Sequence, residues 1–173
     1  GDIGRGLAFG GISEDGDTLS FHITNRNKES YAADLKNEQD RKKVLELVKK
    51  ADVVVQNFRP GVMERLGLGY DEVRTINPSV VYASITGYGA EGPWSARPGQ
   101  DLLAQSISGL PWLNGSGDSP PIPVGIALAD IITSIHLAHG VTAALLKRER
   151  TGLGSRVDTS LLESMLDLQF ELI

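Results

Sequence analysis

The 173-residue chain contains no cysteine, and only 6% of its residues are aromatic. The absence of cysteine excludes disulfides, thiol catalysis and cysteine-ligated metal. The chain also lacks a basic tract: its formal net charge is -5, and acidic and basic residues are interspersed, so we expect no nucleic-acid partner. The composition is otherwise that of an ordinary globular protein, with 40% hydrophobic and 23% charged residues. The chain is long enough to bury a core without a disulfide or a bound metal.

Residues 124–146 form an apolar run that reaches the length of a membrane span. The run contains an aspartate, two histidines and several small polar residues, which favours a buried helix, and we expect no membrane partner. No secretory signal opens the chain, and a cytoplasmic location is expected. Gly1 stands in place of an initiator Met and Ile173 lies inside a helical pattern, so we expect a fragment of a longer protein.

The first third of the chain predicts a loop or loose hairpin, two strands and a helix. The hairpin turn is SEDGD, residues 13–17, and the strands are the alternating segments LSFHIT and SYAADL. Asn37 is placed to cap a helix over residues 38–50, whose valines and leucines form an apolar stripe.

The central segments predict an α/β fold. ADVVVQNF and PSVVYASITGYG are short β-branched runs separated by the helical segments GVMERLGL and YDEVRTIN. Such runs suit a doubly wound, Rossmann-like parallel sheet with flanking helices. Ligands of such sheets bind beyond the carboxyl ends of the strands, where QNFRPG (56–61) and TGYGAEG (86–92) are candidate binding loops.

The last third predicts a helix in DLLAQSISGL, a Gly and Pro loop over residues 114–123, and a long helix that begins near Asp130. Basic residues in KRERTG suit the end of that helix, and Gly152 can terminate it. A strand and another helix follow in SRVDTSLLESML.

Asp130 permits two interpretations from the residues alone. It can be a helix N-cap whose carboxylate accepts hydrogen bonds from the amides of Ile132 or Thr133, which is the commonest reason for such an aspartate. It can also be a nucleophile, because the small residues around it leave room for a ligand. His136 and His139 lack a third metal ligand at a recognised spacing and are interpreted as structural or surface residues, so no metal site is expected.

Several blocks, taken together, resemble the family III CoA-transferases, which include formyl-CoA transferase and the diverged α-methylacyl-CoA racemases. The matching blocks follow the family's order over most of the chain: GDIGR, NRNKESYAADLK, the long block ADVVVQNFRPGVMERLGLGYDEVRTINPSVVYASITGYGAEGP, RPGQDLLAQSISGL, ALAD and KRERTGLGSRVDTSLLESML. The long block is the most specific, since it combines several motifs at fixed spacing.

The resemblance implies that Asp130 is the family's nucleophile. Its carboxylate would attack an acyl-CoA thioester to give a mixed anhydride, and the released thiolate would then give an aspartyl-CoA thioester. An incoming carboxylic acid would reverse these steps, so the chain would be a transferase of sulfur-containing groups that moves CoA from an acyl-CoA to an acid. It would need no permanently bound cofactor, since CoA and acyl-CoA are substrates.

The resemblance also carries over the family's CoA contacts. They comprise a set at the end of a predicted strand, a set in QNFRPG, a single arginine for a phosphate, and the segment before DLLAQ: Ala33, Asp34, Leu35 and Lys36; Asn57, Phe58 and Arg59; Arg65; and Pro98, Gly99, Gln100 and Asp101. Phe58 can equally be a buried residue under a turn.

Gln100 separates the two activities of the superfamily. Racemases that resemble this chain have a histidine at this position, and glutamine cannot act as an acid or base near neutral pH. This favours CoA transfer over the alternatives, which are a racemase-like enzyme that uses another base and an inert CoA-binding fragment.

The resemblance implies a single domain over residues 1–173, the core of the family's large α/β domain truncated at both ends. Residues 124–173 would lead toward a second domain. Known members form interlocked homodimers, so a homodimer is expected.

Overall fold

The computed structural model describes residues 3–6 and 12–172. The chain forms two compact units, residues 1–33 and residues 34–173. The prediction of a single domain core over residues 1–173 stays a prediction.

The first unit contains a 3-10 turn at Ile3–Gly6, a hairpin of β1 (Ser13–Glu14) and β2 (Asp17–Thr18), and helix α1 (Leu19–Thr24). The predicted hairpin is confirmed, and its turn places Asp15 and Gly16 at positive φ. The predicted strand in LSFHIT is wrong, because this segment is α1. The hydroxyl of Thr18 accepts a hydrogen bond from the Phe21 amide at 3.1 Å, which caps the helix and overrides the short alternating pattern.

The predicted strand in SYAADL is also wrong. Residues 28–34 have no regular secondary structure and pair with no strand in the part of the chain that the structure describes. Alternation indicates which side chains face one way, whereas a strand also requires a neighbour to complete its ladder of hydrogen bonds.

Helix α2 (Glu38–Val48) begins the second unit and confirms the predicted cap. The side chain of Asn37 accepts hydrogen bonds from the amides of Gln39 and Asp40 at 2.9 and 3.2 Å. Val48 is buried and joins Val73, Val80 and Tyr82 in one of two core clusters.

The sheet of this unit has three parallel strands, β3 (Val53–Gln56), β4 (Val81–Thr86) and β5 (Ser155–Ser160), in the order β3-β4-β5. Helices α3 (Val62–Arg65) and α4 (Tyr70–Ile76) connect β3 to β4. The predicted α/β fold with a parallel sheet and flanking helices is confirmed.

Four helices follow β4 or β5: α5 (Asp101–Ile107), α6 (Leu110–Leu113), α7 (Leu128–Thr151) and α8 (Leu161–Leu168). A 3-10 turn follows at Phe170–Leu172. The second core cluster lies among α5, α7 and α8 and consists of Ala104, Ala129, Leu161 and Met165. Because Ala129 is fully buried, this cluster fixes the residue next to Asp130.

Helix α7 is long and apolar enough, by length and composition alone, to cross a membrane, and 22% of its most apolar stretch is buried. Core helices of soluble proteins meet the same criterion, so this is weak evidence for a span. The prediction of a buried helix holds for only one face, on which Ala129, Thr133, Leu137 and Ala144 are buried, whereas Ile131 is 46% exposed. This helix packs against β4, β5, α5 and α8. Gly152 ends it with φ 73°, as predicted.

Candidate active site

The carboxyl ends of β3, β4 and β5 lie at one edge of the sheet because the strands are parallel. Both predicted binding loops line cavities at this edge. QNFRPG contributes to a cavity of about 210 Å³, and TGYGAEG contributes to both this cavity and one of about 450 Å³. The larger cavity also has side chains of both charges from β5 and α8, namely Arg156, Asp158 and Glu163.

Asp130 is the third residue of α7 and is exposed. The capping interpretation is wrong, because α7 begins at Leu128 and its N-cap is Ala127. The backbone of Asp130 is held on both sides: its amide donates to Asp101 Oδ1 at 3.1 Å, and its carbonyl accepts from Ser134 Oγ at 2.7 Å. Within residues 3–6 and 12–172, no hydrogen bond or ion pair engages its carboxylate.

The surroundings of Asp130 act on the pKa of its carboxyl group. Partial burial raises the pKa of Asp130 above its ordinary value, and the negative charge of Asp101 raises this pKa further. The carboxylate is therefore more basic than that of an ordinary surface aspartate, a property typical of reacting groups.

Gln105, which no sequence motif indicates, links the two segments that meet at Asp130. Its side chain is 1% exposed, donates to Asp101 Oδ2 at 2.7 Å and to the Ile126 carbonyl at 3.1 Å, and accepts from the Val124 amide at 3.0 Å. The buried amide thus joins α5 to the segment that leads into α7. We call the group of Asp101, Gln105 and Asp130 the Asp130 corner.

A cleft of about 500 Å³ gathers five of the predicted CoA contacts. We call it the Arg65 cleft, and its lining residues are Asp34, Leu35, Lys36, Phe58, Val62, Arg65 and Leu66. It combines an apolar wall with two cationic side chains, which suits a ligand that has a flat ring system and phosphates.

The remaining predicted CoA contacts lie elsewhere. Asn57 and Arg59 flank Phe58 on the exposed loop after β3, and Arg59 lines the 210 Å³ cavity together with Phe58. Pro98, Gly99 and Gln100 are exposed and lead into α5, and Asp101 contacts the amide of Asp130. Ala33 is half-buried at the end of the first unit. As CoA contacts, all these residues stay predictions.

The predicted structural role of the histidines is confirmed for His136. Its Nδ1 lies 3.1 Å from Ser164 Oγ, and its Nε2 lies 3.4 Å from Asp167 Oδ2, so its ring links α7 to α8.

Comparison with known proteins adds three relatives. The chain is 45% identical over 148 residues to an acyl-CoA transferase of Fusarium pseudograminearum and 44% identical over 150 residues to an acetyl-CoA:oxalate CoA-transferase of Acetobacter aceti. Each alignment covers 86% of this chain but only 32% and 39% of the relative, so the chain spans little more than a third of their length. The solved structure of a CAIB/BAIF family protein from Brucella suis superimposes with a TM-score of 0.91 at 38% identity, covering 99% of this chain and 47% of that one.

The model of CoA-transferase family III matches residues 1–172. The match covers both predicted loops, the Arg65 cleft and the Asp130 corner within a single alignment. The chain therefore belongs to CoA-transferase family III.

Proposed function

We propose that the protein containing this chain transfers CoA from an acyl-CoA to a carboxylic acid, with Asp130 as the group that carries the acyl chain and then CoA. The observation that carries the proposal is the free Asp130 carboxylate, exposed at the start of a 24-residue helix while its backbone is fixed on both sides. A fixed but unpartnered carboxylate is what nucleophilic attack requires.

In the first half-reaction, an Asp130 carboxylate oxygen attacks the thioester carbonyl carbon, and the carbon–sulfur bond breaks to release CoA thiolate. The thiolate then attacks the Asp130 carbonyl carbon of the resulting anhydride, which releases the first acid as a carboxylate and leaves an aspartyl-CoA thioester. Each step consumes one anion and produces another, so no general base is needed to remove a proton. The raised pKa of Asp130 favours its attack.

In the second half-reaction, the acceptor carboxylate attacks the aspartyl thioester and again releases CoA thiolate. The thiolate attacks the acyl carbon of the new anhydride, which yields the new acyl-CoA and restores the Asp130 carboxylate. Anhydrides hydrolyse readily, so the apolar neighbours of Asp130 must limit access of water once substrate is bound.

The Arg65 cleft is proposed to bind CoA. Lys36 and Arg65 supply positive charge for phosphate groups, and Phe58, whose side chain is 46% exposed, offers its ring to the adenine. A local hydrogen bond supports this proposal, because Asp34 Oδ1 accepts from the Lys36 amide at 3.0 Å and so fixes the main chain at this side of the cleft.

Gln100 supports transfer over racemisation. It is the N-cap residue of α5, immediately before Asp101, and its neutral amide cannot exchange a proton with a substrate α-carbon. For the acceptor we propose a small carboxylic acid, since the name of the Acetobacter aceti relative gives oxalate as its acceptor.

We also propose that the whole protein is a cytoplasmic homodimer. Apolar side chains on α5, α6 and α7 are exposed, which supports a covering partner: Leu102, Leu103, Ile107, Trp112, Leu113, Ile131 and Ile135. Trp112 is 74% exposed, far more than is usual for tryptophan. Light scattering of the full-length protein tests the proposed dimer, and a monomer at micromolar concentration would contradict it.

Hydroxylamine trapping tests the proposed function directly. Full-length protein is incubated with acyl-CoA substrates and then with hydroxylamine, which converts an acylated aspartate into a hydroxamate that peptide mass spectrometry locates. We expect the label at Asp130, both in the wild type and in the control variant Asp118→Asn, whose substitution lies in the exposed loop before α7. Turnover without label at Asp130, or label at another carboxylate, would overturn the proposal.

A further inference from the structure

Gly87 and Gly99 are in direct backbone contact. A Cβ atom added to Gly87 would lie 2.5 Å from Gly99 Cα, and one added to Gly99 would lie 2.4 Å from Gly87 Cα. Non-bonded carbons prefer separations of roughly 3.5–4 Å, so neither position has space for a side chain. Neither glycine has a left-handed φ, so the close approach itself is what requires glycine here.

The two glycines differ in how firmly they are held. Gly87 directly follows β4, is half-buried, and accepts a hydrogen bond through its carbonyl from the Leu162 amide of α8 at 3.1 Å. Gly99 is exposed and lies two residues before Asp101, which begins α5. The contact therefore ties the start of α5 to the carboxyl end of the sheet.

The segment between the glycines packs on itself. The rings of Tyr88 and Trp94 meet edge to face with their centroids 5.6 Å apart, and the Arg97 guanidinium lies 4.9 Å from the centre of the Trp94 ring. Touching ends and internal side-chain packing are the features of a compact surface loop. A side chain at position 99 would therefore displace residues 98–101 rather than remodel the whole loop.

We propose that the Gly87–Gly99 contact is a positioning device, which holds the Asp101 carboxylate against the backbone amide of Asp130 and so fixes the nucleophile. Asp101 receives the Asp130 amide on Oδ1 and Gln105 on Oδ2, so its carboxylate has little freedom of its own. The inference rests on the function proposed for Asp130. It assigns Gly99 a positioning role instead of the CoA contact that the family resemblance implies.

The Gly99→Ala variant is the direct test. The added methyl group must push residues 98–101 away from Gly87 by about an ångström, which breaks the hydrogen bond between Asp101 and the Asp130 amide and moves the Asp101 charge away. A misplacement of this size reduces rates by up to about 100-fold. We expect slower formation of the aspartyl-CoA thioester and a lower pKa of Asp130, with unchanged affinity for CoA.

The experiment compares full-length wild type, Gly99→Ala and the control Gly117→Ala, whose added Cβ would meet no atom within 4 Å. The readouts are NMR titration of the labelled Asp130 carboxyl carbon, the pH profile of thioester formation, and the calorimetric dissociation constant of CoA. The inference is supported if Gly99→Ala alone lowers the pKa of Asp130 and the rate. It is overturned if Gly99→Ala weakens CoA binding while leaving that pKa unchanged.

Two further outcomes keep the test decisive. If Gly99→Ala does not fold, Asp101→Ala removes the same hydrogen bond and charge without a steric clash, and it must lower both the pKa of Asp130 and the rate. NMR titration needs no turnover. A wild type that titrates as expected but forms no acyl-aspartate would therefore contradict the proposed function and still support the positioning contact.

Discussion

The Asp130 corner and the Arg65 cleft are built by different means. In the corner, Asp101 accepts a hydrogen bond from the Asp130 amide and another from the buried Gln105, and within residues 3–6 and 12–172 no hydrogen bond or ion pair engages the Asp130 carboxylate. In the cleft, the charged groups are long, exposed side chains such as Lys36 and Arg65.

This difference matches the demands of the task proposed for each. Covalent chemistry depends on position to a fraction of an ångström, so the corner uses rigid elements. Phosphate binding tolerates movement, since flexible cations adapt to their anions. Removal of the Asp130 carboxylate from the corner should therefore abolish the reaction. Removal of one cationic side chain from the cleft should only weaken CoA binding.

The largest effect is expected from Asp130→Asn. An amide is a far weaker nucleophile than a carboxylate, so kcat should fall by about 10³-fold or more, and the dissociation constant of CoA should be unchanged. Steady-state transfer assays and calorimetry measure the two quantities, with Asp118→Asn as the matched control. A kcat of Asp130→Asn within about tenfold of the wild-type value would mean that the corner does not perform the covalent step.

Gln105→Leu breaks the rigidity of the corner without touching the nucleophile. The change keeps a similar volume but leaves the Val124 amide and the Ile126 carbonyl without their partner, which should lower the free energy of unfolding by about 2–4 kcal/mol. The control is Gln169→Leu, because Gln169 is also buried, and among the residues that the structure describes its side chain bonds only to the Met165 carbonyl. Equal losses in urea unfolding would show that the network around Gln105 has no special role.

Arg65→Ala should affect the cleft alone. Removing a charge-assisted contact to phosphate, worth about 1.5–3 kcal/mol, should raise the dissociation constant of CoA by about 10- to 100-fold and weaken its salt dependence. At saturating acyl-CoA, kcat should stay near the wild-type value. Lys50→Ala, an exposed cation that follows α2, is the control. A fall in kcat with unchanged affinity would mean that Arg65 acts on the reacting groups.

The sheet and most helices are predictable from the sequence because their signals are local. The β-branched runs of β3 and β4, the cap at Asn37 and the terminating Gly152 each depend on a few neighbouring residues. The segment LSFHIT fails because six residues can satisfy either period, and the Thr18 hydroxyl decides for a helix. SYAADL fails because a strand depends on a partner that its own residues do not specify.

The candidate site was less predictable from residues alone. A cap and a nucleophile both suit a helix start, and the capping interpretation fails only because α7 begins two residues before Asp130. The resemblance predicts that Asp130 is the nucleophile, but local patterns reveal neither Gln105 nor the Gly87–Gly99 contact. The partners of Gln105 in the segment before α7 lie 19 and 21 residues along the chain, beyond the reach of periodicity.

Asp101→Asn gives the smallest and most specific effect. The variant keeps an oxygen that can accept from the Asp130 amide but removes the negative charge, so the pKa of Asp130 should fall toward its ordinary value while the contribution of burial remains. Because only the ionised carboxylate attacks, the acid limb of the pH–rate profile should move to lower pH, with Asp118→Asn as the unshifted control.

The pH dependence of the free energy of unfolding gives an independent measure of how the Asp101 charge acts on Asp130. A carboxyl group whose pKa is raised by folding destabilises the folded state above its unfolded pKa, and this penalty vanishes as the pH falls below that value. The contribution of Asp130 to the free energy of unfolding should therefore decrease as the pH rises from the unfolded pKa to the higher folded pKa of Asp130. The decrease should be smaller in Asp101→Asn. If the acid limb of the pH–rate profile does not move in Asp101→Asn, burial alone sets the basicity of Asp130. The corner would then act on Asp130 through position and not through charge.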